Sequence, residues 1–437
     1  MAGGLMQLVA YGAQDVYLTG NPKVTFFQAV YKRHTNFAME NIEQTTNGNP
    51  SNNGRISVTV ARNGDLIGDM YVELASKIAA TASAAAEDCN WVAERAIKTA
   101  ELSIGGQRID KHYQRWWRMY SELYLDESKK ANWGKLTTGS GDASNPAQVF
   151  LPLIFFFNRN PGLYLPLIAL QYHEVRVDFD LTSEFETYFN TNTFKVWGNY
   201  VYLDTEERRR FAQKGHEYLI EQVQHTGVDA LTVGQTKQVR LSYNHPIKEL
   251  VFAATAADSA RAKLWNFTSD VGDTDVVVNS NPVLADGGSN CFVPLTHSAG
   301  VPLYSTDAGA KPSLRLVEEG LGSSTTDAVG PIENFKLVLN GQDRFKEQSG
   351  KYFNSVQPYN HHSGCPMPGI YSYSFALKPE EHQPTGTCNF SRIDNAQVAI
   401  KVKAGMGSDA ATSLNMFATN YNVLRIQSGM GGLAFSN

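Results

Sequence analysis

Apolar residues recur at every second position along much of this chain, and that period confines it to half-buried β-strands. The pattern is clear in Ile56-Ser57-Val58-Thr59-Val60, Val175-Arg176-Val177-Asp178-Phe179-Asp180-Leu181, Val239-Arg240-Leu241-Ser242-Tyr243 and Val398-Ala399-Ile400-Lys401-Val402. Successive side chains of a strand point to opposite faces, so each run presents one apolar face to a core and one polar face away from it. Clusters rich in Gly, Pro, Asn and Ser separate the runs at Asn47–Gly54, Thr138–Pro146 and Asn279–Gly288. These residue types supply turn geometry or local side-chain hydrogen bonds. The expected fold is therefore all-β and mainly antiparallel, with short helices in loops.

The period changes once. From Lys111 to Leu125, Tyr113, Trp116 or Trp117, Tyr120 and Tyr124 fall at three-to-four spacing, which predicts an amphipathic helix capping a sandwich end.

At 437 residues the chain is too long for one core and suits two domains of roughly 200 residues each. Weak internal echoes support a duplication. Leu102-Ser103-Ile104-Gly105-Gly106-Gln107 is echoed by Leu337-Val338-Leu339-Asn340-Gly341-Gln342, a strand running into a glycine turn. Val175–Phe179 is echoed by Val398–Val402, and Asn199–Leu203 by Asn422–Ile426; the last two echoes share one offset. The join is expected near Arg210–Glu221, just after the charged run Glu206-Glu207-Arg208-Arg209-Arg210. Residues 257–330, rich in Ala, Gly, Ser, Asp and Thr, read as a long exposed loop of the second domain.

Charge narrows the function. Lysine and arginine total 38 against 43 acidic residues, a net charge of -5, which gives no footprint for binding nucleic acid non-specifically. Cys89, Cys291, Cys365 and Cys388 are widely spaced, as expected of thiols in a reducing compartment such as the cytoplasm. The opening Met1–Ala10 lacks the features of a secretion signal, and no apolar run is long enough for a membrane-spanning helix.

Several motifs then carry a resemblance. Leu8-Val9-Ala10-Tyr11-Gly12-Ala13-Gln14-Asp15-Val16-Tyr17-Leu18-Thr19-Gly20-Asn21-Pro22, followed by Thr25-Phe26-Phe27 and Tyr31-Lys32-Arg33-His34-Thr35-Asn36-Phe37, closely resembles the N-terminus of major capsid proteins of nucleocytoplasmic large DNA viruses, nearest the chlorovirus branch that infects algae. Similar stretches are Ile104–His112, Pro152–Asn158, Leu165–Val175, Leu339–Phe345, Phe353–Tyr359, Tyr373–Pro379, Gly386–Asn395 and the tail Asn420–Asn437. The resemblance implies a double jelly roll, two consecutive eight-stranded antiparallel β-sandwiches: an N-terminal arm over 1–23, a first domain over 24–212 and a second over 213–437. It implies a non-enzymatic coat subunit without a cofactor. Homotrimers of pseudo-hexameric outline would tile an icosahedral virion shell, meeting neighbouring capsomers and minor capsid proteins, with outer loops available to a host surface. Alternatives are a minor capsid paralogue and, from another class, a carbohydrate-binding β-sandwich protein. The chain departs from the chlorovirus pattern in Lys77–Arg95, Lys129–Gln148 and 257–330, segments expected to decorate the outer surface.

Individual residues carry narrower expectations. Asn266 and Asn389 stand in Asn-X-Ser/Thr triplets and are the possible glycan acceptors, with Asn389 expected to be buried structure. No catalytic, cofactor or metal residue is assigned. His361, His362, Cys365 and Cys388 do not have zinc-site spacing, His173-Glu174 reads as strand-end neighbours, and Gly429-Met430-Gly431-Gly432 reads as a terminal turn. Arg208-Arg209-Arg210 reads as a solvated or subunit-facing charge cluster. The apolar Leu8, Val9, Tyr11, Val16 and Tyr17 suit an arm that docks on the inner side of a shell. Trp116, Trp117 and the turns Gly105-Gly106 and Asn340-Gly341 are candidate trimer contacts.

Overall fold

The computed structural model describes residues 3–78, 91–139, 141–256, 330–364, 366, 369–403 and 411–435. Residues 1–37 form one unit and 38–437 another. The first carries two short helices, Gly3–Val9 and Val16–Thr19, and its Leu8, Val9, Tyr11, Val16 and Tyr17 are all exposed.

In the first half of the chain the strands are β1 (Phe37–Gln44), β2 (Thr46–Asn47), β3 (Arg55–Thr59), β4 (Leu66–Ser76), β5 (Ile97–Ile104), β6 (Gln107–Tyr113), β7 (Ala147–Pro152), β8 (Leu165–Pro166), β9 (Val175–Leu181) and β10 (Lys195–Leu203). They build two sheets, ordered β1-β10-β4-β7 and β2-β3-β9-β5-β6, with β8 added beside β4. After the helix Thr205–Gln213 come β11 (His216–Ala230), β12 (Thr236–Leu241), β13 (Pro246–Ala256), β14 (Ile332–Leu339), β15 (Gln342–Asp343), β16 (Gln348–Ser349), β17 (Ile370–Ser374), β18 (Cys388–Asn389), β19 (Ala396–Val402), β20 (Ala411–Gln427) and β21 (Met430–Leu433). Their sheets run β11-β20-β13-β17, with β18 beside β13 and β21 beside β20, and β12-β19-β14-β15, with β16 beside β14.

The two halves repeat one strand order, that of the jelly roll. β1, β10, β4 and β7 correspond to β11, β20, β13 and β17, and β3, β9, β5 and β6 to β12, β19, β14 and β15. The sequence echoes fall on matching strands. Val175–Phe179 lies in β9 and Val398–Val402 in β19; Asn199–Leu203 lies in β10 and Asn422–Ile426 in β20. The paired turns agree in detail, for Gly105 and Gly106 have φ of 57 and 84° and Asn340 and Gly341 have 49 and 79°. Left-handed backbone at both central residues is the hairpin geometry that follows strand twist, and glycine adopts it without strain.

Each sandwich closes over the apolar faces read from the alternation. Ile56, Val58, Val177 and Phe179 face Val72, Leu74, Val149 and Leu151 in the first core. In the second, Val239, Phe335, Val398 and Ile400 meet Leu250, Phe252 and Met416. Phe252 stacks on Phe335 at 4.4 Å and on Tyr371 at 5.5 Å, all fully buried.

Two expectations are corrected. The helix spans Gln114–Leu123, and Lys111–Tyr113 end strand β6, where pairing with Thr99, Ala100 and Glu101 of β5 outweighs the helical spacing. Parts of the segments assigned to the outer surface are internal: Trp91–Arg95 are buried, and the helix Glu127–Thr137 buries Lys130, Trp133 and Thr137. They seal one end of the first core, where the Arg118 guanidinium lies 3.9 Å from the Trp91 ring centroid and Trp133 donates to Glu94 at 2.6 Å. The loop expected over 257–330 lies outside the described residues except for Gly330.

Truncating Phe252 to Ala should destabilise the second sandwich by about 3–5 kcal/mol, because the cavity adds to the lost transfer energy. Urea unfolding monitored on the full chain checks this; a cost below about 1 kcal/mol would show that the aromatic stack does not organise this core.

Candidate functional site

Polar chemistry concentrates along the seam where the second sandwich packs on the first. The seam exists because β13 and the middle of β20, the central strands of sheet β11-β20-β13-β17, are buried on both faces. The outer face of this sheet carries Val251, Ala253, Ile370 and Phe417, each at most 1% exposed and packed with the first core. The cover is the end of β6, the helix Gln114–Leu123 and the short helix Phe156–Arg159. Tyr113 and Trp116 meet the Phe417 ring at 6.0 and 5.6 Å, and Arg115 donates to Thr255 Oγ1 at 2.8 Å.

Beside this apolar patch lies a cluster of three cations and three carboxylates. Arg159 Nη2 donates to Glu221 Oε2 at 2.8 Å, and Lys248 Nζ donates to Glu221 Oε1 at 2.6 Å and to the Pro379 carbonyl at 2.7 Å. The His362 imidazolium donates through Nε2 to Glu249 and through Nδ1 to Glu380 Oε1 at 3.2 Å. Tyr124 of the first sandwich donates its hydroxyl to Glu249 Oε2 at 2.5 Å. Balanced charge is what makes such burial tolerable, since an unpaired buried ion costs several kcal/mol. Burial by itself raises Glu221, but Arg159 and Lys248 outweigh it and hold the carboxyl down at about 2. Burial likewise opposes a charge on His362, yet Glu249 and Glu380 prevail and lift it to about 9. The arrangement fixes two domains together. Each acidic oxygen is engaged by a cation or hydroxyl.

The sequence-flagged residues fall in different places. His362 joins the cluster; His361 donates Nδ1 to the Leu377 carbonyl at 2.9 Å; Cys388 is a half-buried free thiol and Cys365 lies outside the described residues. His173 Nδ1 sits 2.9 Å from the Gly431 carbonyl oxygen, and Gln107 Oε1 accepts from Leu433 N at 3.1 Å. The terminal turn Ser428-Gly429 and β21 thereby strap the second sandwich to the first. Arg208 pairs with Asp65 at 3.0 Å and Arg209 with Glu206 at 3.4 Å.

Asn389 corrects an expectation: its side chain is exposed, not buried, and caps the turn Phe390–Arg392 by accepting from Ser391 N at 3.0 Å. Asn266 lies outside the described residues. Trp116 and Trp117 are core residues, 2% and 0% exposed, and so present no surface for another subunit. Sequence reasoning missed Arg159, Glu221, Lys248, Glu249 and Glu380. The one available signal was the pair Lys248-Glu249 leading an otherwise apolar strand.

An open groove of about 450 Å³ runs between β6 and β11, lined by Arg108, Lys111, Tyr113, Gln224, His225 and Asn244 among others. Among the described residues no group of His, Cys, Asp and Glu is placed to hold a metal ion, and no helix is long and apolar enough to cross a membrane.

Folded His362 keeps its proton up to about 9, whereas an unfolded imidazole releases it near 6.5. The proton-bound form therefore favours folding in full below pH about 6.5, and that contribution fades as pH rises through about 9. Melting temperatures measured from pH 6 to 10 should fall across this window, by an equivalent of roughly 3 kcal/mol, and His362→Gln should flatten the profile. An unchanged profile in the variant would refute the assignment.

Similar proteins match both halves of the chain. The family described as "Major capsid protein N-terminus" matches residues 25–204, and "Large eukaryotic DNA virus major capsid protein" matches 207–432. The major capsid protein of Paramecium bursaria Chlorella virus 1 is 42% identical with full coverage of both chains, and that of Pyramimonas orientalis virus is 40% identical, also in full. The solved VP54 of the same Chlorella virus superposes with a TM-score of 0.74 at 38% identity, covering 94% of this chain and 100% of its own. The Faustovirus major capsid protein, 14% identical over 97% of this chain and 96% of its own, shares the fold with a TM-score of 0.66. With both halves matched and the relatives aligned end to end, this chain belongs to the major capsid proteins of large eukaryotic DNA viruses.

Proposed function

We propose that the chain forms homotrimers of pseudo-hexameric outline that tile the outer icosahedral shell of the virion. The observation that supports this is the repetition of one sandwich, in one strand order, within a single chain. Three copies of such a chain supply six similar wedges. A heterologous interface that closes on itself turns them into a ring, which fills a near-hexagonal lattice. The role is structural: the charged groups at the seam engage one another across the two domains. In this reading the subunit is made in the host cytoplasm and meets neighbouring capsomers and minor capsid proteins. Outer loops are available to a host surface, and Asn266 is a candidate glycan acceptor.

The arm serves lattice contacts. Leu8, Val9 and Tyr17 are 78%, 75% and 92% exposed, an apolar display that gains free energy only when a neighbour covers it.

Size-exclusion chromatography with light scattering on the full chain should give three times the monomer mass; a stable monomer would overturn the trimer. Deleting Met1–Pro22 should leave the melting temperature within a few degrees of the full chain but impair assembly of trimers into shells. Normal shells from the truncated chain would refute the role of the arm.

A further inference from the structure

Two strand edges that the fold leaves side by side form the open groove of about 450 Å³, a volume in the range that holds small ligands. β6 ends the sheet β2-β3-β9-β5-β6, and β11 ends the sheet β11-β20-β13-β17. The Ile109 carbonyl accepts from Gln222 Nε2, Asp110 Oδ1 accepts from Val223 N at 3.0 Å, and the Tyr113 and His225 rings meet at 4.9 Å. These contacts advance together along both strands. The groove therefore follows β6 from Gln107 to Tyr113, about 20 Å of extended chain.

The groups left unpaired in the lining set the chemistry of a ligand. Asp110 is the one carboxylate among the described lining residues, and it is fully engaged: His112 Nε2 lies 2.9 Å from Oδ2, and Oδ1 accepts from Lys111 N at 2.8 Å as well as from Val223 N. Lys111 is balanced by Glu101 at 3.8 Å. Arg108 is exposed and, among the described residues, has no carboxylate partner, so the groove carries one uncompensated positive charge. The Tyr113 hydroxyl, the Asn244 amide and the Ser242 hydroxyl also lack side-chain partners among the described residues, and each both donates and accepts.

An extended peptide is a poor match. Strand addition needs the backbone of an edge strand, and here the Ile109 carbonyl and the Val223 amide are occupied by side chains across the groove. The lining is mostly amides, hydroxyls, imidazoles and charged groups, which gives a peptide's apolar side chains little to bury against. A sugar chain fits better. Its hydroxyls donate and accept, its C–H faces pack on rings, and a carboxylate on it pairs with arginine in bidentate geometry.

The geometry points to a binding site for a linear acidic glycan, a uronate-bearing oligosaccharide supplied from outside the chain, with its carboxylate on Arg108, a sugar ring against Tyr113 and hydroxyls on Asn244 and Ser242. The site binds without cleaving, because glycoside hydrolysis takes two carboxyl groups facing each other and the groove has one, buried and engaged. All of the lining comes from a single chain, so the site is independent of the trimer reading.

Calorimetric titration of the full chain with hexagalacturonate, maltohexaose and hexa-aspartate tests this. Hexagalacturonate should bind about 10-fold more tightly than neutral maltohexaose, and Arg108→Gln should remove that difference. Asn244→Ala should weaken both sugars about 3-fold. Both residues are exposed, so melting temperatures should match the parent chain. Absence of hexagalacturonate binding, equal affinity for the two sugars, or undiminished affinity in folded Arg108→Gln would overturn the site. If Arg108→Gln melts early, Asn244→Ala decides alone, and unchanged affinity for both sugars overturns the site. Hexa-aspartate that binds as tightly as hexagalacturonate would overturn the glycan in favour of an acidic peptide.

Discussion

Burial of β13 on both faces is the constraint from which the rest of this molecule follows. One face closes the second core through Leu250 and Phe252, and the other, through Val251 and Ala253, completes the first. A strand so placed cannot leave its sheet without opening two cores. The angle between the sandwiches is thus set by side-chain packing. The chain between them adds a short capped helix, with Asp204 accepting from Thr205 N.

Double burial also explains the ionic cluster. Sheet strands at the seam end in polar residues, and the first sandwich denies those residues water. Lys248 and Glu249 are 1% and 0% exposed, and each is tied to groups from other elements: Lys248 to Glu221 and Glu249 to His362 and Tyr124. Such clusters add less stability than an apolar patch of equal size, but they punish misplacement, because a shifted domain leaves buried charges unpaired. That property fits a subunit whose two wedges must hold one orientation. Apolar contact through Phe417 supplies the attraction, and the charges fix the register.

Much of the fold was legible because alternation is a local signal. β3, β9, β12 and β19 each expose a polar face, so their period survives in the sequence. β13 reads Leu-Val-Phe-Ala-Ala-Thr-Ala from position 250, with no alternation, because neither face meets solvent. The helix was legible in kind and misplaced at its start, since Tyr113 satisfies the helical spacing while its backbone pairs with Thr99. Asn389 was recognised as structural but placed in the wrong environment: a capping side chain works at the surface, where only its own turn needs it.

The sequence by itself determined the β class, the duplication and, through long motifs in both halves, the family. Each of these depends on residues close together along the chain or on direct comparison of segments. Tertiary structure alone decided which polar strand faces are dry and that Arg159, Glu221, Lys248, Glu249, His362 and Glu380 converge. A strand's period reports that its two faces differ. What lies against the second face is set by residues far away in sequence, brought there by packing that no local pattern encodes.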